Sequence, residues 1–284
     1  MWQLVTFAAM ICFPHAKINL GLHILGKRND GFHELQTCFY PVLGLTDVVD
    51  IVQAEQFSFT SSGLPIDSSL DNNLVVKAFR LMQAEFALPN VHMHLHKKIP
   101  MGAGLGGGSS NAAFVLRLCN LIFRLKLPDI ELQKLAAQLG SDCACFVGNE
   151  PTLGYGRGEI LEALHVELPT LPLLILSPGI HVSTREAFEG LNLEPVESNL
   201  EMALRNPVKD WKYSLFNSFE PSVFKAHPII EETKAWLYNQ GAEFALMSGS
   251  GSTVFGIFPA NAKVSRPPAG IEIVFCSEQI HLNS

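Results

Sequence analysis

The sequence predicts an α+β protein of two domains, and three observations carry that expectation. Its 284 residues exceed the usual single compact domain and suit two packed ones. Hydrophobic residues make up 48% of the chain and no low-complexity tract interrupts them, so a core can be buried throughout. Strand-like and helix-like patterns are mixed without a regular βαβ repeat, which argues against a doubly wound sheet. The charged and proline-containing stretch His165–Pro172 divides the chain into residues 1–168 and 169–284.

The elements follow in order. Ile11–Leu25 reads as strand, turn, strand, and Val48–Phe59 alternates as a further strand. Asn72–Phe86 reads as a helix that Asp71 or Asn72 can cap, with Leu74, Val75, Ala78, Phe79, Met82 and Phe86 at helical spacing. His92–Lys97 is a strand. Ser110–Phe123 is a second helix with Ala113, Leu116, Leu118 and Ile122 for a buried face. Asp129–Leu139 is a third, capped by Asp129 and stopped by Gly140. Leu171–Leu176 is a strongly apolar strand. Helices near Thr184–Leu191 and Pro228–Asn239 follow, with strands at Glu243–Met247, Thr253–Phe258 and Ile271–Cys276. The opening residues, MWQLVTFAAMICFP, are apolar but lack a basic leader and are too short to span a bilayer. They read as a first strand preceded by an extension over residues 1–9 that does not build the site. The competing reading is that the extension lengthens the strand at a sheet edge.

Net charge is −7, from 20 basic and 27 acidic residues, with no clustered basic stripe. That excludes a nucleic-acid footprint, and no segment approaches transmembrane length. The six cysteines form no CxxC pair, and Cys143-x-Cys145 alone brings two close together, so a reduced, cytoplasmic compartment is expected. His92, His94 and His96 alternate on one strand and could share a face, as in some zinc sites. No carboxylate pattern accompanies them, and no metal site is expected there.

The most informative segment is PMGAGLGGGSSNAA, Pro100–Ala113. Five glycines lie within seven residues, after a strand and before a helix. Glycine allows positive φ and close approach of backbone to a ligand. The helix behind presents unpaired N–H groups and the positive end of its dipole, and together these make a phosphate cradle. Gly102–Gly107 formally matches GxGxxG, but the surrounding βαβ unit and ribose-binding acid of a dinucleotide fold are not evident. A Walker loop would need Lys where Gly108 stands.

This segment closely resembles the central motif of the GHMP kinases, the family of galactokinase, homoserine kinase, mevalonate kinase and phosphomevalonate kinase. Ala16-Lys17-Ile18-Asn19-Leu20-Gly21-Leu22 and Met247–Phe255 (MSGSGSTVF) resemble its first and third motifs in the same order. The resemblance implies an N-terminal ATP-binding domain like ribosomal protein S5 domain 2 and a ferredoxin-like C-terminal domain. It implies that Pro100, Met101, Gly102, Ala103, Gly104, Leu105, Gly106, Gly107, Gly108, Ser109 and Ser110 bind ATP, with Mg²⁺ as cofactor. Ser109 or Ser110 could donate to phosphate, ligate Mg²⁺ or simply cap the helix.

Further segments resemble one branch of the family, which phosphorylates a tertiary hydroxyl of a cytidine-diphosphate substrate in the non-mevalonate isoprenoid pathway. They are Asp71–Ala78, Gly31–Thr37, Gly140–Asp142 with Phe146, Gly154–Glu159, Ser177–Thr184 and Asn217–Pro221. By that resemblance Asp142 is the carboxylate that orients and deprotonates the attacking hydroxyl, and Lys17 lies beside it. An aspartate is a weak base toward a ground-state alcohol, so it would accept the proton late, as bond formation acidifies the hydroxyl. Phe32, His33 and Phe188 are implied for the cytosine, and Asn19, Arg157 and Thr184 for further substrate contacts. Phe32, Cys143-Ala144-Cys145 and Asn217-Ser218-Phe219 depart from the branch's usual pattern. Rival readings are another GHMP kinase, of homoserine or mevalonate type, or a catalytically silent ligand-sensing member. A monomer and a homodimer both remain open.

Overall fold

The computed structural model describes residues 9–66, 69–191 and 199–283. The extension expected before Met10 therefore lies outside the described residues, except for Ala9, which pairs with Val52 and is the first residue of a strand. The chain forms two compact units, each assembled from several runs of sequence. The first takes the chain up to Ala16, Leu45–Pro100 and Gly106–Asn149; the second takes Lys17–Gly44, Met101–Leu105 and the chain from Glu150 onward.

Strand β1 (Ala9–Cys12) stops before Phe13-Pro14, where proline cannot donate to a ladder, and β2 (His15–Lys27) follows. Next come β3 (His33–Thr46), β4 (Val48–Gln53), β5 (Ser58–Gly63), helix α1 (Leu74–Phe86), β6 (Val91–Lys97), and helices α2 (Gly107–Ile122) and α3 (Asp129–Leu139). The expected single strand over Val48–Phe59 is two strands. β4 pairs antiparallel to one side of β6 and β5 parallel to the other, so the chain must leave the ladder and cross between them. The sheet order is β1-β4-β6-β5.

β6 alternates strictly. Val91, Met93, Leu95 and Lys97 are buried, while His92, His94 and His96 face outward. Each imidazole bonds a hydroxyl of β5: Ser58 to His92, Thr60 to His94, and Ser62 to both His94 and His96, at 2.8–2.9 Å.

Helix α1 is capped by Asn73, whose side chain accepts from Val75 N, and not by Asp71 or Asn72. A 3-10 turn over Leu70–Asn72 moves the extended cap position one residue on. Helix α2 begins three residues before the expected Ser110, because Gly106 takes φ 68° and supplies the N-cap from inside the glycine run. Its near all-round burial follows from packing against α1, α3, β1 and β4. α3 begins and ends where the sequence expects, although its cap residue is Pro128 and Asp129 is the first helical position.

In the second unit, β2 and β3 continue into β7 (Thr152–Tyr155) and β8 (Ile160–Ala163), in the order β2-β3-β7-β8. The remaining elements are β9 (Leu173–Ser177), α4 (Thr184–Glu189), α5 (Leu200–Leu204), α6 (Glu220–Ala226), α7 (Pro228–Asn239), β10 (Phe244–Met247), β11 (Val254–Ile257), β12 (Ala262–Val264), β13 (Glu272–Cys276) and β14 (Ile280–Leu282). An antiparallel sheet, β10-β11-β9-β13, has the fully buried β9 in its interior. Leu174 and Leu176 of β9 pack with Ala187, Val223, Ile230 and Leu237 from helices α4, α6 and α7. This is the α+β arrangement expected. Among the described residues no helix is long and apolar enough to cross a membrane.

β2 carries a buried histidine, His23, stacked on Phe216 with centroids 3.8 Å apart; its Nε2 accepts from Phe216 N. Burial pushes its pKa down to about 4. Unfolding frees the imidazole to bind a proton near pH 6.5, so the unfolded chain holds more protons between pH 6.5 and 4. Stability is expected to be full above that window and to fall on acidification through it, by on the order of 3 kcal/mol from this residue. Melting temperatures of His23→Gln against pH should show a shallower acid slope than the parent. Because burial also lowers His15 and His33, the slope should shrink and not vanish. An identical slope in both proteins would remove His23 as a cause.

Candidate active site

Ten successive residues of β2, from His15 to Ile24, are buried. Polar groups on such a strand must find partners inside the protein. Lys17 and Asn19 are two apart and share a face, and only 3% and 1% of their surfaces are exposed. Lys17 Nζ donates to Asn19 Oδ1 at 2.6 Å, and Asn19 Nδ2 donates to Thr37 Oγ1 at 2.9 Å. Thr37 in turn donates to the Gly21 carbonyl at 2.6 Å, so the direction of the chain of donors is set from end to end. The Lys17 ammonium also lies 5.7 Å from the centre of the Phe39 ring.

The same strand holds part of the glycine loop. Lys17 N donates to the Leu105 carbonyl at 3.0 Å. Asn19 N donates to Ser248 Oγ, and Ser248 Oγ donates to the Gly104 carbonyl at 2.9 Å. Gly104 has φ 77°, and a Cβ there would overlap the Ser248 carbonyl oxygen. At Gly249, φ 59°, a Cβ would lie 3.2 Å from the Gly104 backbone. The glycine turn at Ser248–Gly251 is itself gripped from behind: Asn217 Nδ2 donates to the carbonyls of Met247 and Gly249, both at 2.8 Å, and Glu220 accepts from Met247 N. His181 packs its ring against Gly102.

In the first unit, α2 starts at Gly107 with no side-chain cap. The backbone amides of its first turn have no intrahelical acceptor. Ser109 and Ser110 lie inside the helix, so neither caps it. Burial pushes the Cys143 thiol up to about 11, and the Ser109 hydroxyl acts on it in the opposite direction. The Ser110 hydroxyl is fully buried with no hydrogen-bond partner, an uncommon state for such a group. Asp142 follows the end of α3, half-buried, and its backbone carbonyl accepts from Cys145 Sγ at 3.2 Å.

The remaining sequence-expected residues lie in the second unit, where Phe32 pairs with Arg157 and His33 with Phe188. Phe32 is 52% exposed and carries the Arg157 guanidinium 4.7 Å over its ring. Arg157 also pairs with Glu159 at 3.4 Å. His33 stacks on Phe188 with centroids 4.9 Å apart, and Phe188 meets Phe219 edge-on. Burial, then the charge of Lys27, holds the His33 imidazole below its ordinary pKa. Thr184 opens α4 with its hydroxyl 3.5 Å from Ser250 Oγ.

The structure therefore joins Lys17, Asn19 and Met101–Leu105 in one network through Ser248, and packs α2 against the turn Ala144–Phe146 that follows Asp142. Sequence reasoning missed Ser248 and Thr37, though both lie inside segments that carried the family resemblance. It also missed Lys97, whose signal was the strand alternation itself: with the three histidines outward, Lys97 must point inward.

Comparison with known proteins agrees with these motifs. The models of the GHMP kinases N terminal domain and GHMP kinases C terminal match residues 73–149 and 188–266. The 4-diphosphocytidyl-2-C-methyl-D-erythritol kinase of Bacteroides fragilis is 46% identical over 94% of this chain and 98% of its own. That of Bacteroides thetaiotaomicron is 47% identical over the same shares. A crystal structure of 4-(cytidine 5'-diphospho)-2C-methyl-D-erythritol kinase superposes with a TM-score of 0.74 at 31% identity, covering 87% of this chain and 90% of the other. Homoserine kinase from Cytophaga hutchinsonii, at 18% identity and a TM-score of 0.65, shares the fold.

Gly104→Ala tests the loop. The methyl group must displace either the loop or the Ser248 turn, and a misplacement near 1 Å is expected to lower kcat/KM by about 10²-fold. Circular dichroism should show a folded protein. Parent-like kinetics in that folded variant would show that the close approach is dispensable.

Proposed function

We propose that this chain, which belongs to the GHMP kinase family, transfers the γ-phosphate of ATP to the 2-hydroxyl of 4-diphosphocytidyl-2-C-methyl-D-erythritol in the non-mevalonate isoprenoid pathway. The observation that carries this reading is the uncapped start of α2 behind a glycine loop, on a chain that aligns over 94% of its length with kinases of that name.

Phosphoryl transfer calls for positioning and charge neutralisation more than for covalent help from the protein. In this reading the first-turn amides of α2 and the backbone of Gly102–Gly108 hold the β- and γ-phosphates. Lys17, kept in place by Asn19, stabilises charge on the transferred group. Asp142 orients the acceptor hydroxyl and takes its proton as the new P–O bond forms. Phe32, His33 and Phe188 hold the cytosine, with Asn19, Arg157 and Thr184 on the rest of the substrate. Residues 1–168 serve as the ATP-binding domain and 169–284 as the substrate domain. The cysteines are all free, which supports a reduced, cytoplasmic setting.

Mg²⁺ fits as an ion carried on the phosphates. Among the described residues no three His, Cys, Asp or Glu side chains gather around a metal position, whereas the unpartnered Ser110 hydroxyl beside the loop is an oxygen donor of the kind Mg²⁺ accepts. Bound there, Mg²⁺ would neutralise phosphate charge.

Mass spectrometry of the product formed from ATP, Mg²⁺ and 4-diphosphocytidyl-2-C-methyl-D-erythritol should show one added phosphoryl group. Turnover of homoserine or mevalonate in its place would overturn the substrate assignment. Asp142→Ala should lower kcat by roughly 10²–10⁴-fold, the usual worth of a positioned acid–base group, with ADP affinity near that of the parent. A parent-like kcat would remove Asp142 from the chemistry.

A further inference from the structure

Asp47 stands between β3 and β4 with none of its surface exposed. Its own amide donates to the Pro14 carbonyl. Oδ1 accepts from Lys98 N at 2.6 Å and Ile99 N at 2.9 Å, and Oδ2 accepts from Lys97 Nζ at 2.5 Å and Asn111 Nδ2 at 2.8 Å. An ionised carboxylate has about four acceptor positions, and here each is filled. The donors come from both flanks of the glycine loop. Lys97, Lys98 and Ile99 lead from β6 into it, and Asn111 lies one turn into α2 beyond it. The Lys97 ammonium also sits directly under the start of α2, where a Cβ added to Gly107 would lie 2.8 Å from Nζ.

We propose that Asp47, with Lys97 and Asn111, is a positioning clasp that fixes the first turn of α2 against the exit of β6 and thereby sets the affinity for ATP. The proposal rests on the reading that this turn holds the phosphates of ATP. Asp47 itself touches no substrate. The ion pair is neutral overall, so its contribution is geometric and not an attraction for phosphate. Stability alone does not explain it, because well-packed apolar residues often replace a buried ion pair without loss. Only an all-acceptor side chain can receive four donors at once. An amide at this position would turn its NH₂ either toward the Lys97 ammonium and the Asn111 amide or toward the backbone amides of Lys98 and Ile99.

The test uses the full chain and three variants. Asn111→Ala removes one uncharged donor and leaves the ion pair and both backbone bonds, so it should fold. It is expected to raise the KM for ATP and the Kd for ADP about tenfold, as for loss of one hydrogen bond to a charged group. The KM for the acceptor should stay within about twofold, because the phosphate turn alone has moved. Asp47→Asn should raise the ATP constants further. Asp47→Asn with Lys97→Gln, which restores a neutral donor–acceptor match, should recover part of the loss. Where Asp47→Asn does not fold, Asn111→Ala decides. Unchanged ATP constants in folded variants, a parallel rise in both KM values, or a fall in melting temperature alone would overturn the clasp. Failure of the parent itself to bind ADP would overturn the phosphate-loop reading, and the clasp with it.

Discussion

A charge removed from water must meet an opposite charge and have its remaining hydrogen-bonding positions filled. The first unit meets that constraint at Asp47, and much of its local structure follows. The carboxylate is fully buried and saturated by four donors. Lys97 can therefore occupy an inward position of β6, where strand alternation would otherwise demand an apolar residue. The two backbone amides that follow Lys97 are satisfied without a strand partner, which lets the chain leave the sheet at once. Asn111 brings α2 to the same point. A glycine-rich segment has little conformational preference of its own, so its ends must be held by something stiffer.

The second unit buries polar side chains along a single strand. β2 is buried over ten residues and still carries Lys17, Asn19 and His23. Lys17 and Asn19 are satisfied in a directed series that runs from the ammonium through an amide and a threonine hydroxyl to a carbonyl. The direction matters chemically. Because the Asn19 NH₂ is committed to Thr37, its oxygen must face Lys17, and the ammonium is held in one place. Ser248 extends the network to the Gly104 carbonyl. Asn217 and Glu220 then hold the backbone around Ser248, which gives the Asn217–Pro221 segment a concrete role behind the third glycine motif.

In the proposed reading these arrangements suit a kinase because fixed dipoles meet the charge of the phosphates. Helix α2 begins without a side-chain cap, so its first amides are open to an anion. Charge-assisted hydrogen bonds from a preorganised backbone need no rearrangement when charge shifts during transfer. The buried Ser110 hydroxyl is a further polar group without a protein partner. Aromatic rings at Phe32, His33 and Phe188 are flat surfaces of the kind a nucleobase stacks on.

Much of this was legible in the sequence. Apolar spacing located α1 and a continuous apolar run located β9, because hydrophobic burial is encoded residue by residue, while Gly140 marked the end of α3. The glycine run marked a segment of close backbone approach, because such approach excludes side chains. The motif order around Lys17, Gly102–Ser110 and Met247–Phe255 identified the family. Four details were misread for want of local signal: the crossing between β4 and β5, the cap at Asn73, the start of α2 within the glycines, and the cap of α3 at Pro128. By itself the sequence determined which residue types stood ready for charge and phosphate, since those properties belong to individual side chains and short spacings. Only the tertiary structure decided that Asp47 would receive four donors from both flanks of the loop, and that Ser248 would meet Gly104 from far along the chain. Such contacts join segments with no shared pattern, and they exist only once the packing of strands and helices brings them within hydrogen-bonding reach.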